Sequence, residues 1–530
     1  MALRAKHLLA DQRLLFVLAL CAITFFVNLG KAPIYILDEA KNTQCAREML
    51  ENHQWFKPTY NQVLRTDKPP LHYFFMAAAY SMFGVNEFSA RFFSAVCGLL
   101  VVVFTYRFAA RHINREVGLM SSLILLASWQ FGLEMRLGVP DAYLILLVNL
   151  TLFNLYDFYN SGLTKQRCLL AAYIFMSLGL LSKGPVALLL PLIIIIIYLL
   201  IQKQLNFHII GKFKPITGLL IIAIIGLPWY YIAGSQSNGV WTQEFFFKHN
   251  VGRFISSKEN HGGIFILPLV YVLVGLLPVS VFLFHAAFHF YKRAATSNLV
   301  KLLGISVLTV LVFFMLSKTK LPNYPMPIYP LLGILLANYL HFLINANKNI
   351  KPYITVLLII GIAIPVALKF AIVKEEVLKH LSFVWLPFVV LPIGLLAALL
   401  YQYVNSHCRT QVSVYLVLFT FILTGWIFNL YAYPKVYTAN PVMASLKKKN
   451  INEPLVGYKT YNAAYNFYLK SPIKRFENVA DLKSYLNNHR NVQITIREKH
   501  IHELDSLHLK MLYRGKDIFE SHVNYLLQAQ

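Results

Sequence analysis

Between Tyr35 and Pro70 the chain reads YILDEAKNTQCAREMLENHQWFKPTYNQVLRTDKPP, a polar, charged stretch set among apolar ones. It opens on an acidic pair, Asp38 and Glu39, carries Lys41 one turn on, and closes on Asp67-Lys68-Pro69-Pro70. Further along, Asp141, Lys183, His261, Lys318, Lys320 and Tyr324 stand at the ends of apolar runs or in the loops between them. Separate carboxylates offer a base, and lysines at several span ends offer charge to a phosphate. A phosphate carried on a lipid, meeting an acceptor at a membrane face, is the simplest substrate that needs both.

Taken singly, each of these residues also has a structural account. Asp38 starts a helix-like piece (Glu39 to Glu51) and fits an N-cap. Glu39 reads best as a first-turn acid favoured by the helix dipole. Lys68 before two prolines fits a headgroup anchor, and Asp141 behind Pro140 fits a cap. Lys183, in SKGP between apolar spans, is an expensive charge unless it works at the interface. His261, in NHGG, reads as a loop histidine before a metal ligand. Their joint occurrence on one side of the topology is what favours chemistry.

The elements that must position them are membrane spans. The 530 residues are 57% hydrophobic and only 14% charged, which places most of the chain in lipid. The net charge of +26 comes in ones, twos and threes between apolar runs, as flanks of spans do, and no basic domain for nucleic acid emerges. The five cysteines, Cys21, Cys45, Cys97, Cys168 and Cys408, show no disulfide framework or zinc spacing. At about 17 to 25 residues per crossing, the pattern predicts an α-helical polytopic protein with about thirteen transmembrane helices, from Leu14–Leu29 to Val412–Leu430. Among them are Val117–Leu133, Val186–Ile201 and Ile264–Phe290. The N-terminus is expected in the cytoplasm, before an uncleaved first span. Leu71–Phe83 is too short to cross and is expected along the interface, which keeps Arg107, Arg111 and Arg115 inside. Residues 1–430 thus form the transmembrane domain, with outer loops 31–87 and 234–263. From residue 431 to 530 the composition turns amphipathic, predicting a small extracytoplasmic α/β domain with strands Pro454–Tyr458 and Val492–Ile496 and a helix Val479–Asn487.

The ordered series DEAKNTQCAREMLENHQWFKPTYN, TDKPPLHYFFMAAAYSMFGVNEFSARFFSAV, RLGVPDAYL, LLSKGPVALLLP, KENHGGIFILP and SKTKLPNYPMPIYP resembles the aminoarabinose (4-amino-4-deoxy-L-arabinose) lipid A transferase family and, more loosely, the protein O-mannosyltransferases. The resemblance runs over roughly the first 340 residues. It implies a GT-C type membrane glycosyltransferase that inverts the anomeric carbon of a polyprenyl-phosphate sugar. By position, Asp38 takes the place of the catalytic aspartate and Asp141 that of the second acidic residue. Lys68 and Tyr324 match residues near the lipid phosphate, and Lys41 stands where the family commonly has arginine. Asp67 and His261 match an acid and a histidine that can hold a divalent metal such as zinc, the acid usually being glutamate. In the chemistry that follows, Lys68, Lys183 and Lys320 stabilise the departing phosphate. The implied partners are the polyprenyl-phosphate-sugar donor, a lipid A, protein or glycan acceptor, and the bilayer. The implied location is a bacterial inner membrane with the site facing the periplasm.

Two other classes compete. A lipid-linked sugar flippase or solute transporter would show ionisable residues at mid-bilayer and repeated halves, and the sequence has few of the first and no internal repeat. A surface-glycan ligase or polymerase would share the donor site and differ in its acceptor.

Overall fold

The computed structural model describes residues 11–256, 262–293, 297–404, 406–449, 453–519 and 521–529. Apolar runs with polar caps become helices where expected. Asn86 and Ser89 form a reciprocal capping box that starts Glu87–His112. Pro185 and the chain after Ile201 bound Val186–Ile201. Pro70 and Gly84, the latter at φ +75°, bound Leu71–Phe83. At 13 residues, that helix is about 20 Å long, short of a bilayer core.

Among the described residues, seven helices are long and apolar enough to cross a membrane, or up to eight counting one bent pair, so length and composition do not reach the expected thirteen. Three shorter apolar helices, Gln12–Phe26, Val186–Ile201 and Leu386–Tyr401, add to the bundle. Two expected spans are broken. Val117–Leu133 divides into Arg115–Ala127 and Trp129–Glu134, because Ser128 accepts the Phe131 N–H (3.1 Å) and donates its hydroxyl to the Gly275 carbonyl (2.5 Å). A serine that bonds main-chain groups in this way competes with the helical ladder. Ile264–Phe290 becomes two helices, Leu267–Gly275 and Val279–Lys292, bent by 118°. Pro278 between them lacks the N–H that would continue the first helix.

The stretch expected as an outer loop from 234 to 263 carries helical structure at Val240–Gln243, Glu244–Val251 and Gly252–Ile255, the middle portion wound as a π-helix. The last long helix runs Arg409–Thr438 and so passes through residue 431 without a break.

Beyond it lies a five-stranded mixed sheet in the order Lys474–Phe476, Leu455–Tyr458, Gln493–Arg497, Val523–Ala529, Leu509–Lys516. The first three strands are parallel and the last two antiparallel, with Thr495 opposite Leu526. One apolar cluster, with Val456, Phe476, Leu482, Ile494 and Ile496, is the sheet's own core. A second joins Ala463, Tyr465, Phe467 and Leu526 to Ala40, Cys45, Ala46 and Met49 of the helix Leu37–Glu51. The sheet domain is thereby packed on the element that carries Asp38.

Candidate active site

The helix Leu37–Glu51 starts at Ile36 without a side-chain cap, so Asp38 is not its N-cap and its carboxylate is turned elsewhere. Glu39 fixes the helix start. It is fully buried, accepts two hydrogen bonds from Arg91 (2.7 and 2.8 Å), and takes the Gly138 N–H at 2.8 Å. Arg91 also donates to the carbonyls of Leu29 and Ala32. This buried clamp ties the first loop to Glu87–His112 and to the turn before Asp141. Asp141 likewise follows an N-cap, Pro140, that makes no side-chain bond. Its carboxylate accepts instead from Lys183 and from Asn323 Nδ2, the latter at 2.8 Å.

Three acid–base pairs result. Lys68 Nζ lies 3.2 Å from Asp38 Oδ2. Arg65 grips both oxygens of Asp67, at 2.5 and 3.1 Å. Lys183 holds Asp141. With Lys68 against it, 51% of the Asp38 side chain remains accessible. Burial would raise its pKa, but Lys68 and then Arg65 outweigh that and bring it down to about 2. Burial likewise opposes ionisation of Lys68, and Asp38 and Asp67 together hold its pKa above the ordinary lysine value.

Lys68 and Lys183 line a cavity of about 450 Å³ together with Asp67, His249, Arg253 and Tyr324. Its other walls are largely apolar, among them Leu144, Leu189, Phe245, Phe254, Phe313 and Phe314. Lys183 Nζ lies 5.3 Å from the Tyr324 ring centre, and Arg253 donates to the Tyr324 hydroxyl at 3.4 Å. The cavity therefore combines a cationic end next to Asp38 with an aromatic and aliphatic body.

Three segments between helices are laced together to make it. Trp241 Nε1 donates to the Arg65 carbonyl (2.9 Å), and Thr66 donates to Glu244 (2.6 Å). The Lys318 and Thr319 N–H groups donate to the Phe254 and Arg253 carbonyls. Trp229, Tyr230, Trp241 and Phe245 pack beneath as one aromatic cluster.

Of the residues singled out in the sequence, Asp38, Asp67, Lys68, Asp141, Lys183 and Tyr324 are brought into these pairs or onto this cavity. Two are not. Lys41 is half-buried, lies off the cavity lining and has no hydrogen-bond partner among the described residues. Lys320 is buried with its ammonium on the carbonyls of Met315 and Ser317, where it closes the end of the helix Asn298–Leu316. His261 lies outside the described residues. Among the described residues there is no cluster of three ligating side chains, and both Asp67 oxygens are held by Arg65.

Several residues of the site were missed in the sequence. Arg65 stands two positions before Asp67, and nothing in an irregular RTDK loop announces a bidentate pair. His249 and Arg253 share a helix face, the four-residue spacing from Phe245 being its sequence signal.

Residues 67–232 match the family model described as dolichyl-phosphate-mannose-protein mannosyltransferase. An uncharacterised protein of Aquifex aeolicus is 31% identical over 331 residues, covering 62% of this chain and 73% of that protein. The undecaprenyl phosphate-alpha-4-amino-4-deoxy-L-arabinose arabinosyl transferase of Shewanella sediminis is 27% identical over 315 residues, 59% of this chain and 57% of its own length. This chain thus matches less than two thirds of that transferase. In three dimensions the chain superimposes on ArnT from Cupriavidus metallidurans, crystallised with undecaprenyl phosphate, with a TM-score of 0.80 over 97% of both chains at 20% identity. The chain belongs to the GT-C membrane glycosyltransferases of the aminoarabinose transferase and protein O-mannosyltransferase type.

Proposed function

We propose that the protein transfers a sugar, with inversion, from a polyprenyl phosphate to an acceptor at the outer face of a bacterial inner membrane. The observation that carries this reading is the position of Lys68, which bonds Asp38 on one side and lines the cavity on the other. A polyprenyl phosphate matches both parts of the cavity: the phosphate meets Lys68, Lys183 and Arg253, and isoprene units meet the phenylalanines.

The reaction is a single in-line displacement. The acceptor oxygen forms its bond to the anomeric carbon as the bond from that carbon to the phosphate oxygen breaks. The electron pair leaves with the phosphate, and the acceptor proton passes to Asp38. A carboxylate with a pKa near 2 is a weak base. Donor binding corrects this, because a phosphate that draws on Lys68 weakens its hold on Asp38 and raises the basicity of the carboxylate. The site then becomes reactive only when the donor is present. Lys183, steered by Asp141 and Asn323, adds the second cation on the leaving phosphate.

In this reading Arg115–Glu134, Gln166–Lys183 and the apolar helices described above supply thirteen crossings. The sheet domain sits on the outer side, where it helps to shape the acceptor entrance. Comparative mass spectrometry of lipid A, glycoproteins and surface glycan from a deletion strain tests the function. One sugar lost from one of these classes supports it and names the acceptor, while unchanged glycosylation in all three overturns it.

A further inference from the structure

Asp38 and Lys68 belong to separate pieces of chain. Asp38 opens the helix Leu37–Glu51. Lys68 follows a small antiparallel hairpin, Thr59–Tyr60 paired with Val63–Leu64, whose two turn residues, Asn61 and Gln62, both have positive φ (53° and 64°). Turns of this kind match the twist of a two-residue hairpin. Glu48, on the helix, joins the two pieces. Its carboxylate is buried and accepts from Gln44 Nε2 (2.7 Å), the Thr59 hydroxyl (2.6 Å) and the N–H groups of Asn61 (2.8 Å) and Gln62 (3.1 Å). A carboxylate has about four lone-pair sites, so this one is fully engaged in fixing the hairpin to the helix.

The tip of the hairpin is gripped in turn by the sheet domain. The Asn61 side chain pairs with Ile473 as a strand would: Nδ2 donates to the Ile473 carbonyl (2.9 Å), and Oδ1 accepts the Ile473 N–H (2.8 Å). Ile473 directly precedes the edge strand Lys474–Phe476. Asn61 Oδ1 also accepts from Asn466 Nδ2 (2.9 Å), and Tyr60 donates its hydroxyl to Asn466 Oδ1 (2.8 Å). Asn466 is fully buried, and the neighbouring Phe467 carbonyl accepts from Arg47 of the helix Leu37–Glu51 (3.2 Å). The domain therefore holds both pieces at once. Only Arg65, Thr66 and Asp67 separate the hairpin from Lys68, and Pro69 confines Lys68 to extended backbone. The Trp241 and Glu244 bonds hold the same stretch from its other flank, so a shift of the hairpin has little slack before it reaches the Lys68 ammonium.

Resting on the transferase reading above, we propose that Asn61 is a positioning residue for Lys68: through it the sheet domain sets where the Lys68 ammonium stands between Asp38 and the donor phosphate. Asn61 lies off the cavity lining, so it acts through the hairpin and not on the donor. The residue type suits the task. Asparagine tolerates a positive φ, and its amide carries both the donor and the acceptor that the reciprocal pair with Ile473 needs. The sheet domain thereby takes part in donor binding although none of its residues lines the cavity.

The test is a double-mutant cycle on undecaprenyl phosphate binding by the full chain in nanodiscs, with Asn61→Gly, Lys68→Gln and the two combined. Glycine keeps the positive φ of the turn and removes only the side-chain amide. Asn61→Gly is expected to weaken binding by about threefold to tenfold, as for loss of a net hydrogen bond, and to cause no further loss once Lys68 is Gln. Wild-type affinity in Asn61→Gly overturns the inference. So does a further loss of the same size in the Lys68→Gln background, because a general loosening of the fold does not pass through Lys68. Tyr60→Phe removes only the hydroxyl bond to Asn466 and keeps the cycle readable if Asn61→Gly does not fold; the same dependence on Lys68 is expected, and its absence counts equally against the inference. Failure of the unmodified chain to bind undecaprenyl phosphate overturns the transferase reading, whereas normal binding with an unaffected Asn61→Gly overturns this inference alone.

Discussion

Lys68 and Asp38 are thirty positions apart in sequence, yet the Lys68 ammonium lies 3.2 Å from Asp38 Oδ2, and Lys68 lines a cavity with Phe245, Phe254, Phe313 and Phe314. The pair links the group that handles the acceptor proton to the group that meets the leaving phosphate. Its properties give the first two expectations.

Replacing Lys68 by Gln removes a charged partner from both sides. Donor affinity is expected to fall about tenfold or more, as for loss of a charge-assisted bond to phosphate. Binding of undecaprenyl phosphate to the purified variant measures this, and unchanged affinity would count against a phosphate role for Lys68.

The pH dependence follows from the same pair. Asp38 is ionised above a pKa of about 2, so activity that needs its anion persists as pH falls through the usual carboxylate range. Without Lys68 the pKa rises, and the acid limb of kcat/KM moves to higher pH. Stability has the matching sign. Asp38 and Asp67, both depressed, stabilise the fold above the unfolded carboxylate pKa of about 4, and that contribution is lost as pH falls toward their folded values. Rate profiles and thermal unfolding between pH 3 and 8 check both statements. An acid limb at the same pH in the variant would contradict the first.

Glu39 is expected to matter for folding and not for chemistry. Arg91→Met leaves a fully buried Glu39 carboxylate without its cation and is expected to destabilise the protein by about 3–5 kcal/mol. A large fall in Tm in detergent is the predicted result, and a wild-type Tm would show that the clamp is dispensable.

The metal question reduces to Asp67. Because Arg65 occupies both its oxygens, Asp67→Asn and wild type should contain equal amounts of zinc on elemental analysis. Loss of one ion per chain in the variant would show that Asp67 leaves Arg65 for a metal.

How far these features were legible in the sequence depends on what set them. Leu71–Phe83 and Val186–Ile201 came out with the expected bounds because proline, glycine or a polar boundary delimits them. The strands near residues 455 and 493 are short runs with β-branched residues, buried at successive positions, and were visible. The gathering of Asp38, Lys68, Asp141 and Lys183 was also accessible, since charges at span ends on one side must meet. What escaped was set by main-chain geometry. Ser128 breaks a span through one local bond and one to the distant Gly275 carbonyl, and Pro278 turns one span into a bent pair. Lys320 closes a helix end that only the folded backbone presents. His249 and Arg253 were hidden because their helical stretch was read as a loop, and Arg65 because a pair two residues apart in a loop has no periodicity.

The central claim is that Asp38 takes the acceptor proton while Lys68, Lys183 and Arg253 hold the phosphate. Asp38→Asn keeps the size and hydrogen-bonding shape of the side chain and removes its charge. The direct measurement is sugar transfer by this variant from an undecaprenyl-phosphate donor to the acceptor found in the deletion strain, alongside its affinity for undecaprenyl phosphate. The account predicts transfer reduced by about 10²-fold to 10⁴-fold with donor binding retained. Turnover equal to wild type would contradict it.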